Sequence, residues 1–389
     1  MPFTIQKTLF LLGCFFCLSA PVRSQQSPAF FFASRPCRDS VAQSLKTQVD
    51  RAIILPLSDS AASALSGAYW AMELMGYQPA GFETAIPAQL PHLAQTDAEL
   101  QRAFLEMLYA LYPGQFAKEV QAIWPQLGSH KTKAMALEYL AQAGIFPSVA
   151  FTSSFYGSEW YLAYRKRWKD PKPPLPAVAD FLHPSFLPGQ AVLVSFQYAD
   201  RSQPGYLMIR DTSGQWVADS LGKPLPFPQL ARAVSNLPYY LTNGNTPQGL
   251  YRITGTAVSD NPWIGPTPNL QLVLPFESGN AFFGADTAYL AFYRKILGSN
   301  LTKFPGLWES YTAGKAGRTE IIAHGTTIDP AFYQGKPFFP HTPSLGCLCS
   351  PEAWNDRGER VSSAQWAWMS ALQERNMNPQ WMVVAEVER

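Results

Sequence analysis

One break in pattern constrains the fold of this chain more than any other feature. From Asp50 to about Gly144, apolar residues recur at the three- and four-residue spacing of helices, as over residues 98–111 and 131–143. Beyond Asp180 they gather instead into short runs bounded by turn residues. Between the two lies Trp168-Lys169-Asp170-Pro171-Lys172-Pro173-Pro174-Leu175-Pro176, where prolines remove backbone donors and neither period can continue. The pattern predicts a helical unit over 26–180 and a mainly β unit over 181–389, an α+β chain. Helix stops stand at Pro113-Gly114, Leu127-Gly128-Ser129 and Gly144, so the first unit reads as several short packed helices with no fixed repeat.

In the second unit, residues 191–198, 205–210, 250–254 and 270–274 read as strands, with turn chemistry such as Asp211-Thr212-Ser213-Gly214 between them. A helix over 364–375 follows Ser362 and Ser363, and a closing strand covers 381–387. The frame these predict is a β-sandwich or open barrel with a few helices.

The first 25 residues have a secretory layout. Lys7 precedes an apolar run over 8–20 that is too short to span a bilayer, and a more polar stretch follows to Ser27. This predicts export to the periplasm or cell envelope, cleavage near Ser24 or Gln25, and no membrane span afterwards. Leu11-Leu12-Gly13-Cys14 has the form of a lipid-attachment box, the weaker alternative. A net charge of +2, from 30 basic and 28 acidic residues, leaves little electrostatic footprint for nucleic acid. Of five cysteines, Cys37, Cys347 and Cys349 remain after cleavage, an odd number that points to a free reactive thiol beside at most one disulfide, with Cys37 and Cys349 a possible pair.

The segment that carries chemistry runs from Glu320 to Pro351. It contains His324-Gly325, then a loop, then Ser344-Leu345-Gly346-Cys347. A cysteine nucleophile needs an imidazole to take its proton or hold its anion, and His324 and His341 are the candidates. A glycine before the nucleophile lets the backbone turn sharply, so that the N–H groups of Gly346 and Cys347 can face a developing oxyanion. Cys347 and Cys349 with the two histidines also number four possible zinc ligands. Zinc sites prefer two residues between paired cysteines and here there is one, so no metal and no cofactor is assigned. His92, His130 and His183 have no such neighbours and read as structural. The glycines around residues 243–249 lack the Lys-Ser/Thr pair of a phosphate loop.

These residues resemble the L,D-transpeptidase family, which carries a His-Gly pair, a loop and a Ser-x-Gly-Cys block followed by an apolar residue, here Leu348. Upstream, Thr246-Pro247-Gln248-Gly249-Leu250-Tyr251 is similar to the family's Thr-Pro-x-Gly strand start, in the same order. The resemblance covers roughly residues 190–389. It implies a transpeptidase-like sandwich or barrel whose Cys347 attacks a diaminopimelate carbonyl in a peptidoglycan stem peptide and expels D-alanine. The resulting thioester passes to an amine, giving a 3-3 cross-link, or to water. It further implies His324 as base and later acid, the Gly325 carbonyl holding the imidazole tautomer, and Ser344, His341 and Tyr251 near the substrate.

Three departures from the family pattern stand out. The 22 residues between His324 and Cys347 exceed the usual length. The extra residues are the aromatics Phe332, Tyr333, Phe338 and Phe339, with His341, and are expected to form a cleft wall. Cys349 stands where the family has Arg or Asn, and Leu345 where some members have His. A catalytically silent wall-binding or scaffold protein is therefore the alternative reading, and an unrelated cysteine hydrolase ranks behind it.

Overall fold

The structure is a computed structural model, described over residues 29–147, 153–277, 281–282 and 289–389. The expected signal segment, its cleavage point and Cys14 lie outside the described residues. The helical half comprises α1 (Arg35–Ala52), α2 (Ala62–Met75), α3 (Phe82–Leu93), α4 (Ala98–Leu111), α5 (Ala117–Ile123), α6 (His130–Gln142), α7 (Ser153–Tyr156) and α8 (Glu159–Trp168). Local chemistry sets their ends. The Asp97 carboxylate accepts from the N–H groups of Glu99 and Leu100 to start α4, Ser129 and Thr132 form a reciprocal cap on α6, and Gly76 ends α2 at φ 60°. Among the described residues no helix is long and apolar enough to cross a membrane.

After the proline segment, α9 (Val178–Leu182) already packs on the sheet through Phe181. The strands are β1 (Val192–Gln197), β2 (Gly205–Arg210), β3 (Phe227–Gln229), β4 (Gly249–Ala257), β5 (Asn269–Val273), β6 (Ile322–His324), β7 (Leu348–Cys349), β8 (Glu352–Trp354), β9 (Arg360–Ser363) and β10 (Trp381–Glu386). Among the described residues, helices α10 (Tyr289–Leu297), α11 (Asn300–Lys303), α12 (Glu309–Lys315) and α13 (Ala364–Glu374) intervene. Eight strands form one sheet in the order β3-β2-β1-β10-β4-β5-β6-β7, with β8 and β9 as a separate ribbon. The β1/β10 and β6/β7 pairs are parallel. Isolated bridges from Leu230 to Cys349 and from Ala233 to Ser344 bring the segment past β3 against the β7 edge, so the sheet is nearly closed.

The central strands are buried on both faces, which is why their sequences run apolar without alternation. Leu193, Met382 and Val384 face inward onto Trp368 and Leu372 of α13. Val192, Val194, Phe196 and Val383 face outward under Phe181, Tyr293, Leu297 and Phe304.

The expected boundary near residue 180 is not a boundary of the core. The helical cluster continues into Leu230, Leu237, Tyr240 and Leu241 from the segment after β3, and into Ile328, Tyr333 and Phe338 from the loop after β6. The aromatic insertion, expected as a cleft wall, is thus largely packing against the helices. Only Phe339 of the four aromatics is exposed. Polar contacts bridge the same seam. Tyr240 donates its hydroxyl to the fully buried Glu138 at 2.6 Å, and Glu138 also accepts from the Trp168 indole at 2.9 Å and pairs with Arg167 at 3.3 Å. Burial raises the Glu138 carboxyl, and these donors oppose that shift.

A core shared in this way predicts one cooperative transition. Urea unfolding followed by tryptophan fluorescence and by far-ultraviolet circular dichroism should coincide, and Tyr240→Phe should lower stability by about 2 kcal/mol through loss of a hydrogen bond to a charged group. Two separated transitions would show that the halves unfold independently.

Candidate functional site

The last two strands of the sheet present the candidate residues. Ala323 pairs with Leu348 and His324 with Cys349. Side chains alternate along a strand, so Ala323 and Leu348 enter the inner core while His324 and Cys349 share the opposite face. Extending the register by one residue sets Cys347 beside Ile322, and the Ile322 N–H indeed points at the thiol. Cys347, just before β7, thus sets its thiol against the backbone of β6 two residues ahead of His324. No hydrogen bond joins the two side chains.

His324 is buried, and its Nδ1–H donates to the Gly325 carbonyl at 2.5 Å. That bond fixes the tautomer with the lone pair on Nε2. Burial lowers the imidazole's proton affinity, so the ring is neutral near pH 7 and able to accept a proton. Gly325 has a second task. A side chain there would begin 2.3 Å from the Glu352 carboxyl, which lies beneath it. That carboxyl accepts from the Thr326 N–H at 3.0 Å and from the Thr267 and Ser363 hydroxyls at 2.7 and 2.5 Å. Glu352 is a positioning group for the loop that carries Gly325, and its isolated place in the sequence offered no signal of this.

Cys347 is half-buried, with Sγ 3.6 Å from the Glu320 carbonyl. Burial pushes its thiol up to about 11, against the Ile322 N–H and the Arg318 guanidinium, which both favour the thiolate. Arg318 is the main residue that sequence reasoning missed. Buried itself, it donates to the carbonyls of Tyr239, Leu241 and Gly244 at 2.8, 2.6 and 3.1 Å. Gly346, at φ +110°, is pressed between the Gly244 carbonyl and this guanidinium, and a side chain there would begin 2.4 Å from the former and 2.5 Å from the latter. Nothing in the spacing of Ala316-Gly317-Arg318 announces that role.

Several assigned roles change. Tyr251 is wholly buried in the inner core and its hydroxyl donates to the Pro247 carbonyl at 2.6 Å, so it is a packing residue and touches no substrate. Ser344 spends its hydroxyl inside the turn, donating to the Cys347 carbonyl at 2.9 Å and accepting from the Gly346 N–H at 3.2 Å. The Gly346 N–H is thereby occupied, which leaves the Cys347 N–H as the candidate oxyanion donor. Thr246 supports the same turn by donating to the Gly346 carbonyl at 2.9 Å. His341 is half-buried with neither ring nitrogen hydrogen-bonded. Cys37, Cys347 and Cys349 are all free thiols, so the suggested Cys37–Cys349 bond is absent. Cys349 is buried with Sγ 3.8 Å from the Thr342 hydroxyl, and burial pushes it up to about 12. It fills space as a small apolar side chain does.

Compared with known protein families, with curated proteins and with solved structures, the chain matches none.

The Cys347 and Cys349 thiols should differ sharply in chemistry. Iodoacetamide at pH 8 should modify Cys347 and leave Cys349 unmodified until the protein is unfolded. Because the Cys347 thiol is raised, its thiolate fraction grows with pH, and the alkylation rate should climb about tenfold per unit from pH 7 to 10. Peptide mapping by mass spectrometry reads both. A rate that levels off near pH 7 would show a thiolate already formed.

Proposed function

We propose that the protein is a cysteine acyltransferase of the L,D-transpeptidase kind, exported to the cell envelope and acting on peptidoglycan stem peptides. The observation that carries the reading is that Cys347 leads directly into the strand paired with that of His324 and sets its thiol against the same strand's backbone, with the histidine tautomer set by the Gly325 carbonyl.

In this reading His324 Nε2 takes the proton as Cys347 Sγ bonds to the donor carbonyl carbon. The developing oxyanion faces the Cys347 N–H. The C–N bond to the terminal D-alanine then breaks, and the imidazolium returns its proton to the leaving amine. An amine from a second stem, or water, attacks the thioester, gives its proton to His324 and restores the thiol. A neutral acid and a neutral base at rest suit this cycle, since a raised thiol and a lowered imidazole keep the proton on sulfur until substrate arrives.

The alternative, a silent wall-binding protein, is favoured by one observation, that the Gly346 N–H is satisfied within its own turn and so one expected oxyanion donor is lost. Incubation with a carbapenem and with tetrapeptide muropeptides, followed by intact mass, separates the readings. The acyltransferase yields a covalent adduct on wild type, none on Cys347→Ser, and release of D-alanine. His324→Ala should slow adduct formation by about 10²–10⁴-fold. An accessible Cys347 that forms no adduct and no product would select the silent reading.

A further inference from the structure

Away from Cys347, the helical half carries a pocket of about 230 Å³, open to solvent on one side, beside the segment that follows β3. Its walls include Trp70 and Glu73 of α2, Glu99, Arg102 and Glu106 of α4, and Asn243. The spacings 70/73 and 99/102/106 are helical, so each set projects from one face. Glu73 and Glu106 are both more than nine-tenths buried, at 7% and 8% exposure. Glu106 accepts from the Asn243 amide at 3.1 Å. The Glu73 carboxyl has no hydrogen bond or ion pair among the described residues, yet it lines the cavity. A leucine or alanine would pack there at no electrostatic cost, whereas an unpartnered buried carboxylate is among the most expensive groups a core can hold.

We infer that this cavity is a binding site for an organic cation, a primary ammonium on a short alkyl chain, held between the Glu73 and Glu106 carboxylates. An ammonium offers three donors, which suit two carboxylates lining one pocket and close enough that Glu106 raises the proton affinity of Glu73. Trp70 supplies an aromatic wall that suits both the charge and the methylenes. The space suffices, since a cavity of about 150 Å³ accepts benzene. A metal ion fits less well: among the described residues no group of three or more His, Cys, Asp or Glu could hold one. The lining carries three carboxyls against one guanidinium, Arg102, with Lys131 and Arg318 behind the wall. Burial raises both carboxyls and Glu73 further feels its neighbour, Glu106 reaching about 8, so the empty pair retains a proton that an ammonium would displace.

Titration calorimetry of the full chain with pentylamine, and with 1-pentanol as the neutral match, tests the site. Pentylamine should bind saturably at pH 7.5, with a heat that varies with the buffer's ionisation enthalpy because a proton is released, and pentanol should not. Glu73→Gln and Glu106→Gln, each checked for native circular dichroism, should weaken binding at least tenfold, and one folded variant suffices. Cys347→Ser should bind as wild type, so the outcome is independent of whether the thiol is catalytic. No saturable pentylamine binding, equal binding by a folded glutamine variant, or loss of binding in Cys347→Ser would each overturn the assignment.

Discussion

The Arg318 guanidinium is the contact on which the site depends. A buried cation must be repaid in hydrogen bonds, and Arg318 finds them in three backbone carbonyls of residues 239–244. Those bonds pin the segment leading into β4. The same guanidinium packs on Gly346 and so locates the turn before Cys347, while Thr246 closes that turn from the other side. One side chain thus ties the segment leading into Thr246-Pro247 to the turn at Gly346-Cys347, although 74 residues separate Arg318 from the nearest of its carbonyl partners.

The helical half works on the same loops from outside. Tyr240, Leu237 and Leu241 bury their side chains among its helices, and Lys131 donates to the Thr242 hydroxyl at 2.9 Å. On the far side of His324, Arg35 pairs with Asp329 at 2.7 Å and Arg38 donates to the Thr327 carbonyl at 2.9 Å. Both loops that flank the cysteine are therefore braced by α1, α4 and α6. This gives the N-terminal half a structural purpose, and it places the Glu73–Glu106 pocket against the Asn243 end of a braced loop.

Local pattern was legible wherever the physics is local. The helix expected over 98–111 is α4, the strands expected over 205–210 and 270–274 lie at β2 and β5, and the predicted helix over 364–375 is α13, because amphipathic period and caps act within a few residues. The two- and three-residue strands β3, β6 and β7 passed unseen, since a run so short shows no period. Helices α10 to α12 were likewise unread, lying in a stretch where no motif drew the eye. Tyr251 was misjudged because a motif residue at a strand start can point to either face, and only pairing with β10 turns it into the core.

The sequence by itself determined the two folding regimes, the proline segment between them, and the cysteine, histidine and neighbouring glycines that make up the candidate site. Those are properties of side-chain type and near-neighbour spacing. Tertiary structure alone decided that β6 lies parallel to β7, so that Cys347 and His324 come onto adjoining stretches, and that Cys349 is sealed inside. It also decided that Gly325 and Gly346 are held to glycine by the Glu352 carboxyl and by Arg318 with the Gly244 carbonyl. The physical reason is that strand partnership and buried charge are settled by closure of the sheet over long sequence separations, where local spacing has no influence.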